Sequence, residues 1–468
     1  MARHFEAILM AAFAPSDARV CRTRPAWHLA IKDAGSNDTT LRRHAKIRQL
    51  RICFIWKLRN SAKAIFTSMK SDCISAFSGR AIASAAFVCS MLVANLHAEP
   101  FSTLYSFSDA DGKGPIGSLT HDGSTLYGTT IQGGANGAGT IFSYDLATGT
   151  ESVAHSFNGS DGLFPQSGLI RNGSLFYGVA ANGGANNRGS LFSYAPDTAT
   201  YTTRFSFSND TPNPKALTSG GSTLYGTTTK SIFGYNTLSQ THSTLYTFSA
   251  SDGVGPNGAL TLGGSFLFGT TELGGSFGDG TLFSYNLATG VEQVLHSFSV
   301  ADGHQPAAGV TIVGSTLYGT TVGGGDTGLG TIFSYDLTTG IESVLHSFSG
   351  SDGRSPHSAL TQVGSILYGT TEQGGTGDWG VLFSYNLTTG VTEVLHNFVV
   401  SDGGKPHELL LLGSTLYGTT SSGGEHAAGT LFAYQIPEPS TLVSLSIAAI
   451  AMPSMIRGRL ANKTQRMR

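Results

Sequence analysis

One short pattern constrains this chain more than any other. Gly314-Ser315-Thr316-Leu317-Tyr318-Gly319-Thr320-Thr321 reads as a β-strand entered from a turn, with β-branched and aromatic residues and one internal glycine. Related copies are centred on Tyr127, Tyr177, Tyr225, Phe268, Tyr368 and Tyr417, so with Tyr318 there are seven. They are spaced 50, 48, 43, 50, 50 and 49 residues apart. A strand-rich period near 50 points to a propeller or a solenoid. The length of 468 residues, which alone would suggest about three domains, then describes one repetitive body with flanking segments.

Within one period the frame is rigid. Phe298 to Tyr318 is 20 residues, Tyr318 to Phe333 is 15 and Phe333 to Phe348 is 15. Four strand-like segments fit this frame: Ala307 to Ile312, Thr316 to Thr321, Thr331 to Tyr335 and Glu342 to Phe348. Asp122-Gly123 and Asn172-Gly173 are hairpin signals between segments one and two, and Thr338-Thr339-Gly340 closes segment three. Four antiparallel strands repeated seven times predict an all-β, seven-bladed propeller, in which each blade buries its faces against its neighbours. A β-solenoid is the alternative, but its coils are usually shorter and pair in parallel. The repeat region opens at Phe101 to Phe107, a copy of segment four, and ends at Leu431 to Tyr434, a copy of segment three. The expectation is therefore closure, with the first strand completing blade seven. Blade three departs from the frame. Tyr225 to Phe233 is only 8 residues, the Gly-Gly loop is missing, and Asp210-Thr211-Pro212 stands where six copies carry Asp-Gly. Both decay of one repeat and a notch in one face fit this.

The segments outside the repeats differ in charge. Residues 1–98 hold 15 Lys/Arg against 5 Asp/Glu, residues 99–434 hold 8 against 24 (a balance of −16), and residues 435–468 hold 5 against 1. An acidic body argues against nucleic-acid binding. Residues 1–68 lack periodicity and read as absent from the mature protein, with Met69 as the true start. A basic arm around Arg42-Arg43 and Trp56 is the alternative. Residues 69–98 read as a signal peptide, with Lys70 and Arg80, an apolar run from Ala81 to Ala94, and Ala98 near the cut. Residues 99–434 form the propeller and residues 435–468 a sorting tail. All four cysteines (Cys21, Cys53, Cys73, Cys89) precede the repeats, so the body has no thiol nucleophile and no cysteine-based zinc site. No cofactor or metal is expected.

Two resemblances rest on these residues. Pro437-Glu438-Pro439, the apolar run Leu442 to Ile456, and Arg457 and Arg459 resemble the bacterial PEP-CTERM sorting signal, although Pro453 and a further tail to Arg468 depart from it. The resemblance implies export, transient membrane anchoring through residues 442–456, and cleavage by an exosortase-type enzyme at the cell surface. The repeats, through Leu317-Tyr318-Gly319-Thr320-Thr321, Gly324-Gly325 and Thr331-Ile332-Phe333-Ser334-Tyr335, resemble the GloVer tandem-repeat family, which implies no activity and no catalytic residues. The strand followed by Gly-Gly also resembles kelch propellers, as an analogy of fold.

Candidate chemistry is sparse. The repeated Asp-Gly aspartates (Asp111, Asp161, Asp252, Asp302, Asp352, Asp402) read as turn caps rather than calcium ligands. His155, His296, His346 and His396 occupy a position that is Tyr105, Phe205 or Tyr246 elsewhere, which reads as a packing site. No Gly-x-Ser-x-Gly stands at a strand-to-helix elbow, and no His-Glu-x-x-His motif occurs. The loops between blades and the loops after segment two are expected on one face. There the variable residues His304, Arg354, His357, Asp378, Trp379, Lys405 and His407 form a candidate ligand site, with Glu425 and His426 nearby. Trp379 is expected as a stacking platform and the histidines as groups that charge toward pH 5, strengthening binding of an acidic glycan. The reading is an exported surface or matrix propeller that binds extracellular polysaccharide or a surface protein, or serves a purely structural role. The alternative is a polysaccharide lyase or hydrolase on the same face.

Overall fold

The computed structural model describes Pro100–Pro437. The signal-like segment, the residues before it and the apolar tail after Pro437 lie outside the described residues. Apart from one 3-10 turn at Pro196–Thr198, the regular structure is β-strand.

Seven antiparallel sheets follow in chain order, and they are the seven blades. Blade five shows the plan, with strands Thr311–Val313, Thr316–Thr321, Thr331–Asp336 and Ile341–Ser347 from the axis outward. Segments two to four lie where the spacing predicts them. Segment one is shorter than expected, because Ala307 and Ala308 run along the ring axis and Val310 packs into the seam without a ladder, and only Thr311–Val313 pairs. The hairpin is also present, but its turn differs. Asp122 pairs with Thr125, so Gly123 and Ser124 form the two-residue loop. Gly123 sits at φ +55 as the first turn residue, the position where a type II′ turn needs glycine.

The ring closes as expected. Phe101–Ser106 pairs antiparallel with Thr430–Gln435 and becomes the outer strand of blade seven. The first strand of blade one then packs against blade seven. Seven hydrophobic clusters fill the seven seams, each drawing residues from two neighbouring blades. Their anchors are phenylalanines such as Phe142, Phe192, Phe233, Phe283, Phe333, Phe383 and Phe432, all fully buried. The glycine inside Leu-Tyr-Gly-Thr-Thr exists because of them. A Cβ on Gly319 would lie 2.5 Å from the ring edge of Phe333, so the aromatic can close over the strand only if that residue has no side chain. A phenylalanine fully withdrawn from water contributes about 1.5–3 kcal/mol, and six of the seven seams hold at least two of them.

Blade three keeps its four strands, and its short connection from Thr227 to Ser231 confirms the missing loop. Its departure extends to the seam. Thr211 is buried where other blades carry the repeated aspartate, and Phe205 stands where they carry His or Tyr.

Candidate functional site

The face that holds the inter-blade loops and the Gly-Gly loops is one surface, as expected. The two loop types are hydrogen-bonded to each other, for example Gly325 N to Val300 O at 2.9 Å and Gly375 N to Gly350 O at 2.8 Å. Their shape comes from a repeated proline (Pro115, Pro165, Pro214, Pro256, Pro306, Pro356, Pro406). The residue before each one is left-handed, and in five cases it is not glycine: Phe164 (φ 54), Asn213 (φ 53), Gln305 (φ 55), Ser355 (φ 54) and Lys405 (φ 53). That conformation costs roughly 1–2 kcal/mol for a residue with a Cβ. An inter-blade hydrogen bond offsets it. Each of these five N–H groups donates to the preceding blade: Phe164 to Ala138 O, Asn213 to Arg188 O, Gln305 to Asp279 O, Ser355 to Leu329 O and Lys405 to Trp379 O, at 2.8–3.1 Å.

This turn delivers the residue after each proline to the axis. Ile116, Gln166, Lys215, Asn257, Ala307, His357 and His407 all line a central cavity of about 240 Å³, with Glu372 and Glu408. The seven span six residue types, although the proline before them never varies. The spacing signal was available as an unvarying proline followed by the most variable position. Of the residues expected at the site, His357 and His407 are brought together here, while Lys215, Gln166, Asn257, Glu372 and Glu408 were missed. The His407 Nε2 is buried and unpartnered. Burial, with the charges of His357 and Lys405 beside it, lowers its pKa to about 4. His407 is therefore neutral at pH 5, against the expectation that it would charge there. Burial also raises the Glu408 carboxyl, opposed by hydrogen bonds from Ser118 across the closing seam.

The other expected residues lie on the same face but apart from the channel. Arg354 forks onto Asp378, Nε to Oδ1 at 3.2 Å and Nη2 to Oδ2 at 2.8 Å. That guanidinium and the Gly374 N–H hold the Asp378 carboxyl below its usual range. Lys405 is exposed beside them. Trp379 is half-buried and belongs to the seam between blades six and seven, where its ring covers Gly404 so closely that a Cβ there would meet it at 2.2 Å. It is packed in place rather than raised above the surface. His304 rests on Gly323 in blade five. The exposed aromatic of this face is Phe277, 66% exposed at the tip of the blade-four loop, near the exposed Leu273 and Val254 of the same blade end. In blades one and two the equivalent loop residue is Asn136 or Asn186, whose amide ties the loop back to Phe157 O or Phe207 O at 3.0 Å. Phe277 has no such bond to give, and this replacement was the overlooked signal.

The repeated histidines require a correction. They form polar contacts as well as packing. His155, His296, His346 and His396 each place Nε2 2.9–3.1 Å from the Oδ2 of the aspartate six residues on, and Tyr105 and Tyr246 donate to Asp111 and Asp252 in the same way. The other carboxylate oxygen caps the loop, as Ser299 N to Asp302 Oδ1 at 2.7 Å shows. Phe205, which cannot donate, stands at the one seam that lacks the aspartate.

Solved structures of distant sequence share this fold. The chain is similar to an oligogalacturonate lyase in complex with manganese (13% identity, TM-score 0.51, 72% of this chain and 93% of that one). It is similar to a chain of the mitotic checkpoint complex (13%, TM-score 0.50, 73% and 93%). It is also similar to the extracellular domain of a hybrid two-component-system protein from B. thetaiotaomicron (13%, TM-score 0.50, 71% of this chain and 39% of that one). At such identity the likeness is one of fold. No relative is found among curated proteins. The repeat itself is what matches. Residues 92–232, 231–377 and 315–455 each fit the Gloeobacter/Verrucomicrobia repeat, and together they span the whole ring; this chain belongs to that repeat family.

Proposed function

We propose that this protein is exported to the bacterial cell surface or matrix and there binds an extracellular polysaccharide on its loop face without cleaving it. The observation that carries this reading is the ring of residues after the prolines, where an otherwise uniform repeat places Gln166, Lys215, Asn257, His357 and His407 around one opening. The cavity is small beside the roughly 300–1,000 Å³ of drug-sized pockets, so it suits one side group while the chain lies across the face. Lys215 and two histidines face Glu372 and Glu408, a mixture of donors and acceptors that matches a hydroxyl-rich chain better than a strongly acidic one. Phe277 offers an apolar face for a sugar ring, and the shortened loop of blade three leaves an open path opposite blades six and seven. The signal-like and PEP-CTERM-like ends support export, with an exosortase-type enzyme as the sorting partner.

The test is calorimetric titration with purified extracellular polysaccharide of the producing bacterium. Phe277→Ala and Lys215→Ala should each weaken binding by roughly fivefold to fiftyfold, the range of one buried contact of about 1–2 kcal/mol. Asn172→Ala on the opposite face should leave it unchanged. Binding that is equal in all three variants removes the site, and release of unsaturated or reducing sugar during the titration replaces binding with catalysis.

A further inference from the structure

The seams between blades are seven versions of one outer site, and their differences isolate one of them. Each version combines the residue two before the strand-ending phenylalanine, the residue four after that phenylalanine, and a residue from the next blade's outer strand. Around the ring the combinations are Tyr105-Asp111-Glu151, His155-Asp161-Tyr201, Phe205-Thr211-His242, Tyr246-Asp252-Glu292, His296-Asp302-Glu342, His346-Asp352-Thr392 and His396-Asp402-Phe101. Three of them close by an aromatic stack. His155 stacks on Tyr201 at 4.0 Å, Phe205 on His242 at 4.2 Å and His396 on Phe101 at 3.6 Å. Where the third residue is Glu151 or Glu292, a tyrosine hydroxyl sits between the two carboxyls.

Only the seam between blades four and five unites histidine, aspartate and glutamate. One ligand atom from each of His296, Asp302 and Glu342 lies within 4.8 Å of the other two. The His296 Nε2 is 3.0 Å from Asp302 Oδ2, while Asp302 Oδ1 is held by Ser299. The Glu342 Oε1 is buried and without a partner, as are Glu151 Oε1 and Glu292 Oε1 in the two tyrosine seams, so what sets this seam apart is the histidine nitrogen beside it. One imidazole nitrogen and two carboxyl oxygens thus face one another across this seam.

We propose that His296, Asp302 and Glu342 bind one divalent transition-metal ion, of the Zn2+ class, that clamps blade four to blade five. One imidazole nitrogen and two carboxylate oxygens suit such an ion, whereas calcium wants six to eight oxygens. Tetrahedral bonds of about 2.0–2.2 Å put ligand atoms about 3.3–3.6 Å apart, a span that the His296–Asp302 pair nearly has and that Glu342 reaches by rotating its carboxylate. All three residues are half-buried, so water reaches the remaining coordination position.

The ring supplies its own controls. His296→Tyr recreates the combination of two other seams, and Glu342→Thr recreates that of the seam between blades five and six, so both variants should fold. The experiment is equilibrium dialysis of the full-length chain against Zn2+, with Cys21, Cys53, Cys73 and Cys89 alkylated and circular dichroism confirming the fold. The parent should bind one ion more per chain than either variant, and its melting temperature alone should rise with Zn2+. Thr392→Glu should complete the triad with His346 and Asp352 and add one further ion. The proposal is overturned if the parent and His296→Tyr bind equally, if Glu342→Thr keeps the ion, or if Thr392→Glu adds none.

Discussion

Closure of the ring can be tested by a matched pair of substitutions. Phe107 follows the closing strand and is fully buried in the seam between blades seven and one, packed edge-on to Phe142 at 4.8 Å and 65°. Phe298 holds the same place between blades four and five, edge-on to Phe333 at 4.9 Å and 64°. The N–H groups of both residues donate to the glycine that opens the neighbouring strand, Gly429 O at 3.0 Å and Gly280 O at 2.9 Å. The seams differ in one respect: the chain is continuous through blades four and five, but at the closing seam only packing and a strand ladder join its ends. Truncation of a buried phenylalanine to alanine costs about 3–5 kcal/mol. For a ring of 338 residues (100 to 437), an unfolding entropy near 2.1 cal/mol/K per residue gives about 0.7 kcal/mol/K, so about 4 kcal/mol lowers the melting temperature by about 6 °C. A closed, cooperative ring predicts the same loss for Phe107→Ala and Phe298→Ala. The assay is urea and thermal unfolding followed by far-UV circular dichroism and by the fluorescence of Trp379, the one tryptophan of the ring, with Trp27 and Trp56 replaced by Phe. Trp379 lies in the seam between blades six and seven, so its transition should coincide with the global one in both variants. A Phe107→Ala loss far below that of Phe298→Ala would refute the argument, since it would mean that the closing seam opens without cost to the rest.

The outer carboxyls should make stability depend on pH. Burial first, and then the charges of Asp111 and Asp252, raise Glu151 and Glu292 to about 7, so the folded state holds these protons more tightly than the unfolded chain. The stability contributed is complete below the ordinary glutamate range and is lost as pH rises through about 7. Urea midpoints at pH 5 and pH 8 should therefore show that Glu151→Gln with Glu292→Gln gains on the parent at pH 8 but not at pH 5, and parallel profiles would exclude this origin. Processing gives a separate expectation: mass spectrometry of protein from the producing bacterium should find a start near Glu99 and loss of the segment after Pro439, and a chain with residues 1–68 intact would contradict it.

Much of the architecture was legible because the repeat writes the same constraint seven times. Period, strand count, the orphan first strand and the shortened loop of blade three all follow from spacing, since hairpin geometry ties sequence distance to position along a blade. The glycine of Leu-Tyr-Gly-Thr-Thr and the phenylalanine of the third strand were visible as a pattern, and their contact explains why both persist. What spacing could not reveal is which residues from different blades meet. The channel gathers residues some fifty positions apart, and the residue after each proline looks like ordinary loop variation until a left-handed turn aims it at the axis. Trp379 read as an exposed platform because of its loop and chemistry, yet Gly404, 25 residues later, gives it a place to lie flat. The same holds for the outer seams. His296 alternates with Tyr and Phe along the chain, which suggests mere packing, whereas its meaning depends on Asp302 beside it and Glu342 on the next blade. Local pattern determined the blade, because strand and turn propensities act within a few residues; closure of the ring decided the chemistry, because ligands, charges and pKa values depend on neighbours that only the assembled seams bring within a few ångströms.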